Sequence, residues 1–349
     1  SGGNKKFLKS DFLVEGKVAV VDQGKDLIAG YTNEDDEVVK GQPPYIVFGD
    51  HTRIFKFIDF PFVMGADGTK VFKVKDITIN DEKYLFHFLN SLNIPNTGYN
   101  RHFKYLKSTK IPLPPLPQQQ KIANILDAAD ALRQNDKALI AKYDELTQAL
   151  FLDMFGDPVS NPKGWEKVEL KKLGKVITGS TPPSSKENMF GGNIPFVTPG
   201  DLDKNQPYKR FVTKEGALNS RTVEKGSLFV CCIGATIGKT GIARELSSFN
   251  QQINAVEWYN NINFQFGFNC FASLKKELIE KAISTTLPIM KKSEFEKLKM
   301  ICPPIELQNQ FAERVAVIEE QKAIAQKSLE KSESLFNSLL QKSFKGELV

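Results

Sequence analysis

The chain has 349 residues, 41% hydrophobic and 25% charged, with 47 Lys and Arg against 41 Asp and Glu for a net charge of +6. This is a globular composition too long for one ordinary core, so two or three domains are expected. The mild basicity permits a polyanion partner without demanding one, and no run of eighteen apolar residues is present to span a membrane.

The opening SGG reads as a cloning scar and is left out of the fold. Short strands and Gly- or Asp-containing turns dominate the first half, with VVDQG at 20–24 and PPYIVFGDHTR at 43–53, and a small helix is expected from Asp81 to Leu92. QPPY at 42–45 is similar to the Asp/Asn-Pro-Pro-Tyr element of adenine methyltransferases. Gln42 replaces the acidic or amide residue and no Gly-rich cofactor loop precedes it, so a strand entry is the better reading. A basic, aromatic segment, TGYNRHFKYLKSTK, closes this half at 97–110.

IPLPPLPQQQKIANILDAADAL then begins at 111: a Pro-Pro stop, a Gln-rich entry and a long helix free of further Pro or Gly. Its apolar positions include Ile122, Ile125, Leu126, Ala129, Leu132, Leu139, Tyr143, Leu146 and Leu150, with Asp136 as a polar intrusion.

The second half opens on GWEKVELKKLGKVITGSTP at 164–182 and contains GATIGKTG at 234–241. A phosphate-binding loop needs four residues between its first Gly and Gly-Lys-Ser/Thr; here Gly234 and Gly238 enclose three, and Gly241 is a poor start to a helix. The apolar SLFVCCI before it and the strand-like QQINAVEW after it point to a β-hairpin tip instead. A small helix is expected from Leu274 to Ser284. Cys231, Cys232, Cys270 and Cys302 sit in apolar runs without metal-ligand spacing, which suits reduced core thiols in a cytoplasmic protein.

At 301, ICPPIELQNQFAERVAVIEEQ repeats the earlier grammar: Pro114 and Pro115 stand 189 residues before Pro303 and Pro304, and the same offset pairs Gln119 with Gln308 and Phe155 with Phe344. Phe311, Val315, Ile318, Ala325, Leu329, Phe336 and Leu339 form its apolar rhythm, interrupted by Lys322 and Ser332. Both rhythms read as coiled-coil seams, and connectivity favours an antiparallel pair. About 36 helical residues would make a rod of ~54 Å. Two separate amphipathic helices on separate domains are the alternative.

The expected architecture is α+β: two mainly-β domains separated by a pair of long antiparallel coiled-coil helices, with a pseudo-two-fold internal repeat. The expected boundaries are residues 1–110 for the first β domain, 111–156 for the central helix, 157–299 for the second β domain and 300–349 for the C-terminal helix. The first half starts near the equivalent of residue 177 and lacks the 164–176 lead-in, which predicts that the C-terminal FKGELV helps to cover that end.

The paired PPLPQQQKIANILD and PPIELQNQFAERVAVI segments, the 164–182 lead-in, GATIGK, FNQQINAV, DQG, IAGY and VFGDHTR together resemble the specificity (S) subunit of Type I restriction-modification systems, over nearly the whole chain. The resemblance implies a non-catalytic reader of double-stranded DNA for defence against foreign DNA. Two target-recognition domains would each read half of an asymmetric bipartite target, and the helices would set the unread gap. It further implies that the helices dock two modification (methyltransferase) subunits carrying S-adenosylmethionine, which recruit restriction (motor-nuclease) subunits using ATP and Mg, with no cofactor or metal on this chain and no membrane partner.

DNA contact calls for cations at phosphates and hydrogen-bonding side chains at base edges. In the first half the candidates are Asp50, His51, Thr52 and Arg53 at a loop tip, the turn at Asp67 to Lys70 with Thr69 and Lys70, and Tyr99, Arg101, His102 and Lys104. In the second they are Thr178, Ser180, Thr181, Ser184 and Lys186 in a Ser/Thr-rich loop, Thr236 and Lys239 in the hairpin, and Gln251 and Gln252, of which at most one should face the groove. Lys209 and Arg210, with Lys291 and Lys292, suit phosphates, although Glu294 and Glu296 favour a plain solvated helix end at the last pair. A coiled-coil scaffold presenting two protein-binding heads explains the helices equally well and the amide-rich loops less well.

Overall fold

A computed structural model of the chain describes residues 6–65, 68–98, 100–183, 185–202, 207–282 and 288–348. Two compact units are present, one made of Ser1–Ala138 with Gln326–Val349 and the other of Leu139–Ala325.

The first unit carries β1 (Val18–Val21), β2 (Gly30–Thr32), β3 (Tyr45–Gly49), β4 (Phe55–Ile58), β5 (Phe62–Met64), β6 (Thr69–Phe72), α1 (Glu82–Ser91), α2 (Phe103–Lys107) and the start of α3 (Leu116–Phe155). β1 pairs antiparallel with β2 and parallel with β5, while β3 lies between β4 and β6, antiparallel to both. Every residue of β3 is buried because alternate side chains serve two cores. Tyr45 and Val47 face Val21, Phe62 and Met64 of the other sheet, whereas Ile46 and Phe48 meet Ile94 and the apolar side of α1. The QPPY segment is the expected strand entry, with Tyr45 opening β3.

The second unit repeats this layering with β7 (Lys167–Glu169), α4 (Leu170–Leu173), β8 (Gly174–Thr178), β9 (Phe190–Val197), β10 (Phe211–Val212), α5 (Lys214–Leu218), β11 (Thr222–Val223), β12 (Leu228–Cys231), β13 (Thr240–Ile242), β14 (Ser247–Phe249), β15 (Ile253–Trp258), α6 (Phe264–Ala272), α7 (Lys275–Lys281), α8 (Lys292–Phe295), β16 (Lys299–Ile301) and the start of α9 (Ile305–Lys345). β12 plays the part of β3: Leu228 and Val230 face Phe266 and Cys270 of α6, and Phe229 and Cys231 face Val197 and Phe249. Its sheet runs β13-β12-β15-β8, one strand more than the corresponding β4-β3-β6. That extra strand comes from the lead-in, whose β7 also pairs with β16. The two short helices expected from sequence are α1, capped by Asp81 Oδ1 on Tyr84 N at 2.8 Å, and α7.

α3 and α9 are single helices of 40 and 41 residues, about 60 Å each. Pro117 is tolerated in the first turn of α3. Gly156, at φ +76°, ends that helix with its N–H on Leu152 O. Within the first unit the two helices run antiparallel, the Arg133 guanidinium lying 4.3 Å from the centre of the Phe336 ring and Ser332 Oγ donating to Asp136 at 2.8 Å. Within the second they do so again, with Lys322 paired to Asp144 and the Phe311 ring 5.5 Å from Phe151. The polar residues that interrupt both sequence rhythms therefore belong to the seam.

The apolar assignment on α3 needs a correction. Leu132, Leu139 and Leu146 are 54%, 41% and 50% exposed, while Ile122, Leu126 and Ala129 are buried and Tyr143 half-buried. From Ile122 the seam steps by four and three through Leu126, Ala129, Arg133, Asp136, Ile140, Tyr143 and Thr147. The leucines stand one residue ahead of it and share another face. On α9 the expected seam holds, with Phe311, Val315, Leu329 and Phe336 buried and Ile318 and Leu339 half-buried.

The C-terminal end of α9 packs on α1 of the first unit. Phe344 lies 5.5 Å from Tyr84 and 5.2 Å from Phe88, and Leu348 joins the same cluster. In the second unit Phe155 holds the equivalent place, 4.8 Å from Phe266. No helix among the described residues is long and apolar enough to cross a membrane.

Candidate nucleic-acid interface

Sheet register decides which loops come together. In the first unit Gly49 pairs with Thr69, Phe48 with Phe55, and Val21 with Met64, so the 22–28 loop, the 49–54 turn and the residues Gly65, Gly68 and Thr69 lie at one end of the sheets. In the second, Thr178 pairs with Asn254, Cys231 with Ile253, and Val230 with Thr240, which gathers the segments 179–183, 232–239 and 250–252 in the same way.

The first cluster is drawn tightly inward. Gly49 has no room for a side chain, since a Cβ would stand 2.1 Å from Thr52 Oγ1 and 3.0 Å from Gln23 O. Gln23 Oε1 accepts from His51 N at 3.2 Å and Gln23 O from Thr52 Oγ1 at 2.6 Å, which brings a third loop against the turn. Arg53 takes a left-handed backbone, φ +65°, and its Nη1 donates to Ile94 O at 3.2 Å.

Several expected base contacts are structural. Asp50 is 2% exposed, with Oδ1 accepting from Phe103 N at 2.7 Å and its carbonyl accepting from the amide N–H of a fully buried His102 at 3.0 Å. Both residues tie the turn to the first turn of α2, a pairing across 52 residues that sequence spacing does not reveal. Thr69 is buried in β6, and Arg53 is held on backbone. Lys70 is half-buried above the Phe103 ring. The exposed cations around the cluster are Lys25, Arg101, Lys104 and Lys107. Tyr99 and Asp67 lie outside the described residues.

Gln23 was missed as a site residue, although DQG marks its place in the frame. Lys56 was missed as well. This buried lysine of β4 donates to Asp22 O at 2.9 Å and Asp26 O at 2.5 Å, and so organises the 22–28 loop from beneath. Burial lowers its pKa from the ordinary lysine value, with Asp22 and Asp26 opposing the shift.

The second cluster is more open. GATIGK is a β-hairpin tip, with Cys231 N on Lys239 O and Gly238 N on Cys231 O, and no helix follows it. Thr236 is exposed, and Lys239 is half-buried. Gly179 is required by close approach, because a Cβ would stand 2.1 Å from Asn250 O. Beyond it, Thr181 Oγ1 donates to Gln251 Oε1 at 2.8 Å on the surface, and Asn250 Nδ2 donates to Gln252 Oε1 at 3.0 Å. Gln251 is exposed and Gln252 half-buried; both lie in a turn and not in the strand that sequence alternation assumed. Ser180 is half-buried, its N–H on Phe249 O.

Thr178 is a correction here: its hydroxyl donates inward to Asn254 Oδ1 at 2.8 Å. Ser184 lies outside the described residues. Lys186 and Lys209 are exposed, and Arg210 lies 5.2 Å from the centres of both the Phe190 and Phe196 rings. Lys291 and Lys292 are exposed, but Lys292 pairs with Glu296 and Glu294 with Lys297, so this helix end is largely neutralised.

The thiols are core groups. Burial pushes Cys232 and Cys270 up to about 12, and Cys302 rises for the same reason. No group of three or more His, Cys, Asp and Glu side chains suited to a metal occurs among the described residues.

The arrangement, two loop clusters rich in amides, hydroxyls and cations on one repeated scaffold, has clear relatives. The family model described as Type I restriction modification DNA specificity domain matches residues 1–142 and again 162–333. The Escherichia coli "Type I restriction enzyme EcoR124I/EcoR124II specificity subunit" is 25% identical over 77% of this chain and 70% of its own length. A putative type I restriction enzyme MjaX specificity subunit of Methanocaldococcus jannaschii is 26% identical over 76% of this chain, which spans 65% of that protein. Among solved structures, the Type I restriction-modification S subunit of M. genitalium aligns with a TM-score of 0.61 at 18% identity, covering 97% of this chain and 92% of that one. A chain from a study of complex assembly and conformational transition of the type I R-M system aligns at 0.53 and 19% identity, covering 89% and 84%. With two family matches that together take in most of its length, the chain belongs to the Type I restriction-modification DNA specificity family.

Proposed function

We propose that the chain reads a bipartite asymmetric DNA target, one half-site with each loop cluster, and contributes no chemistry of its own. The observation that carries this reading is the pair of equivalent sheet ends, each gathering three loops of amides, hydroxyls and nearby cations. Gln251 and its neighbours suit adenine edges, and Arg101 and the exposed lysines suit guanine or phosphate. The long helices set the unread gap between the half-sites. Their exposed leucines, Leu132, Leu139 and Leu146, seven residues apart on one face of α3, dock two methyltransferase subunits. S-adenosylmethionine would then reside on those subunits, with ATP and Mg on motor-nuclease subunits recruited through them.

The test is to assemble the chain with its cognate methyltransferase and map the adenines methylated in random duplex DNA. The expected product is a two-part motif, with duplex binding that weakens steeply as salt rises. Arg101→Ala should relax one half of the motif and Gln251→Ala the other. A scaffold with protein-binding heads would instead yield no motif and no salt-dependent duplex binding. Inserting a whole number of turns into both helices should lengthen the gap; an unchanged gap would refute the helices' spacing role.

A further inference from the structure

We infer that Gln119 and Gln308 are matched positioning residues, each locking a recognition domain onto the first turn of its long helix; this rests on the DNA-reading role proposed above. Both side chains are fully buried, and each carboxamide uses both of its N–H donors and its carbonyl oxygen. In the first unit Gln119 Oε1 accepts from Asp81 N at 2.9 Å, while Nε2 donates to Ile79 O at 2.9 Å and Pro114 O at 2.7 Å. In the second, Gln308 Oε1 accepts from Asn263 N at 2.9 Å, while Nε2 donates to Asn261 O at 3.1 Å and Pro303 O at 2.8 Å.

The two sets coincide group for group. Asp81 and Asn263 are the N-caps of α1 and α6, and their side chains in turn hold Tyr84 N at 2.8 Å and Gln265 N at 3.0 Å. Each capped helix lies against the strand pair that carries a central turn of the loop cluster: α1 on β3 and β4, α6 on β12 and β13. A continuous chain of contacts thus runs from long helix to glutamine, cap, short helix, strands and reading turn. One buried carboxamide thus satisfies together the cap's backbone N–H, the carbonyl two residues before the cap and the carbonyl of a proline that precedes the long helix. Glutamate keeps the shape and the acceptor but presents a carboxylate to two carbonyls, so it isolates the lock from packing.

The test uses the full chain assembled with its methyltransferase partner, with Gln119→Glu and Gln308→Glu compared to the parent. Expected is a loss of about tenfold in discrimination at one half-site only, opposite halves for the two variants, on the scale of a single mismatched base pair. Amide exchange at Asn263 should quicken about tenfold in Gln308→Met, which removes the acceptor of that N–H, while β12 and β15 keep their protection. Should the glutamate variant fail to fold, Gln308→Met, which retains bulk without the amide, takes its place. Undiminished discrimination in a folded variant, equal loss at both half-sites, or exchange at Asn263 no faster than in the parent would each overturn the inference. A parent assembly that selects no sequence overturns the reading role itself, and the exchange data still decide whether the glutamines lock the caps.

Discussion

The two units share a scaffold and differ in how they treat the polar residues at its working end. In the first, Asp50, Thr52 and Arg53 turn toward backbone of other segments, so the turn is stiffened and the exposed cations stand around it. In the second, Thr181 and Gln251 pair with each other on the surface and stay open to solvent. One framework therefore supports a braced turn and an open one, because the layered core beneath β3 and β12 fixes the sheet ends whatever the loops carry.

The comparison is tested most severely at the aromatic anchors. Phe155→Ala removes a fully buried ring and should cost about 3–5 kcal/mol, while Phe344→Ala, on a half-buried ring, should cost about half of that. Trp165 and Trp258 are the chain's two tryptophans, so their fluorescence in urea reports the second unit, and amide exchange in α1 reports the first. Equal losses in both units would break the predicted difference between the two anchors.

Next in size is the face of α3. Leu139→Lys with Leu146→Lys should weaken methyltransferase binding by about 2 kcal/mol or more, measured by titration calorimetry, with unfolding unchanged because both side chains are already exposed. Unchanged binding would return those leucines to ordinary surface.

The braced and open turns separate at smaller scale. Asp50→Ala leaves Phe103 N without its acceptor and should destabilise the first unit by about 1–2 kcal/mol. Thr181→Val should leave the second within about 0.5 kcal/mol of the parent while altering one half-site. Matching stability losses would mean that both turns are structural.

The smallest difference is in pH response. Burial raises the Asp127 pKa, but Lys83 and His87 outweigh it and hold the carboxyl below the usual carboxylate value. A lowered folded value means that this ion pair stabilises above the unfolded carboxyl's pKa and that the contribution is lost as pH falls through the folded one. Asp127→Asn should therefore flatten the acid sensitivity of exchange in α1. The aligned position in the second unit is Ala316, so α6 should be indifferent.

Much of the frame was legible in the sequence because Pro-Pro stops and long helices without Pro or Gly leave few alternatives. The seam was not. Leucines at 132, 139 and 146 read as a core heptad, yet Arg133 and Asp136 take the buried line because Phe336 and Ser332, distant in sequence, supply their partners. Loop placement failed for the same reason: Asp50 looked like a surface reader until His102 and Phe103 were seen against it. The hairpin reading of GATIGK held because its turn glycines act locally.

The division of the chain also bears on its biosynthesis. The second unit is one uninterrupted stretch, Leu139–Ala325, whereas the first needs both ends of the polypeptide. A ribosome finishes every residue of the second unit before it makes Phe336 and Phe344, which close the core over Tyr84 and Ile122. Those apolar faces of α1 and α3 must therefore wait, uncovered, for α9, and nascent chains released early should be captured by chaperones through the first half and not the second.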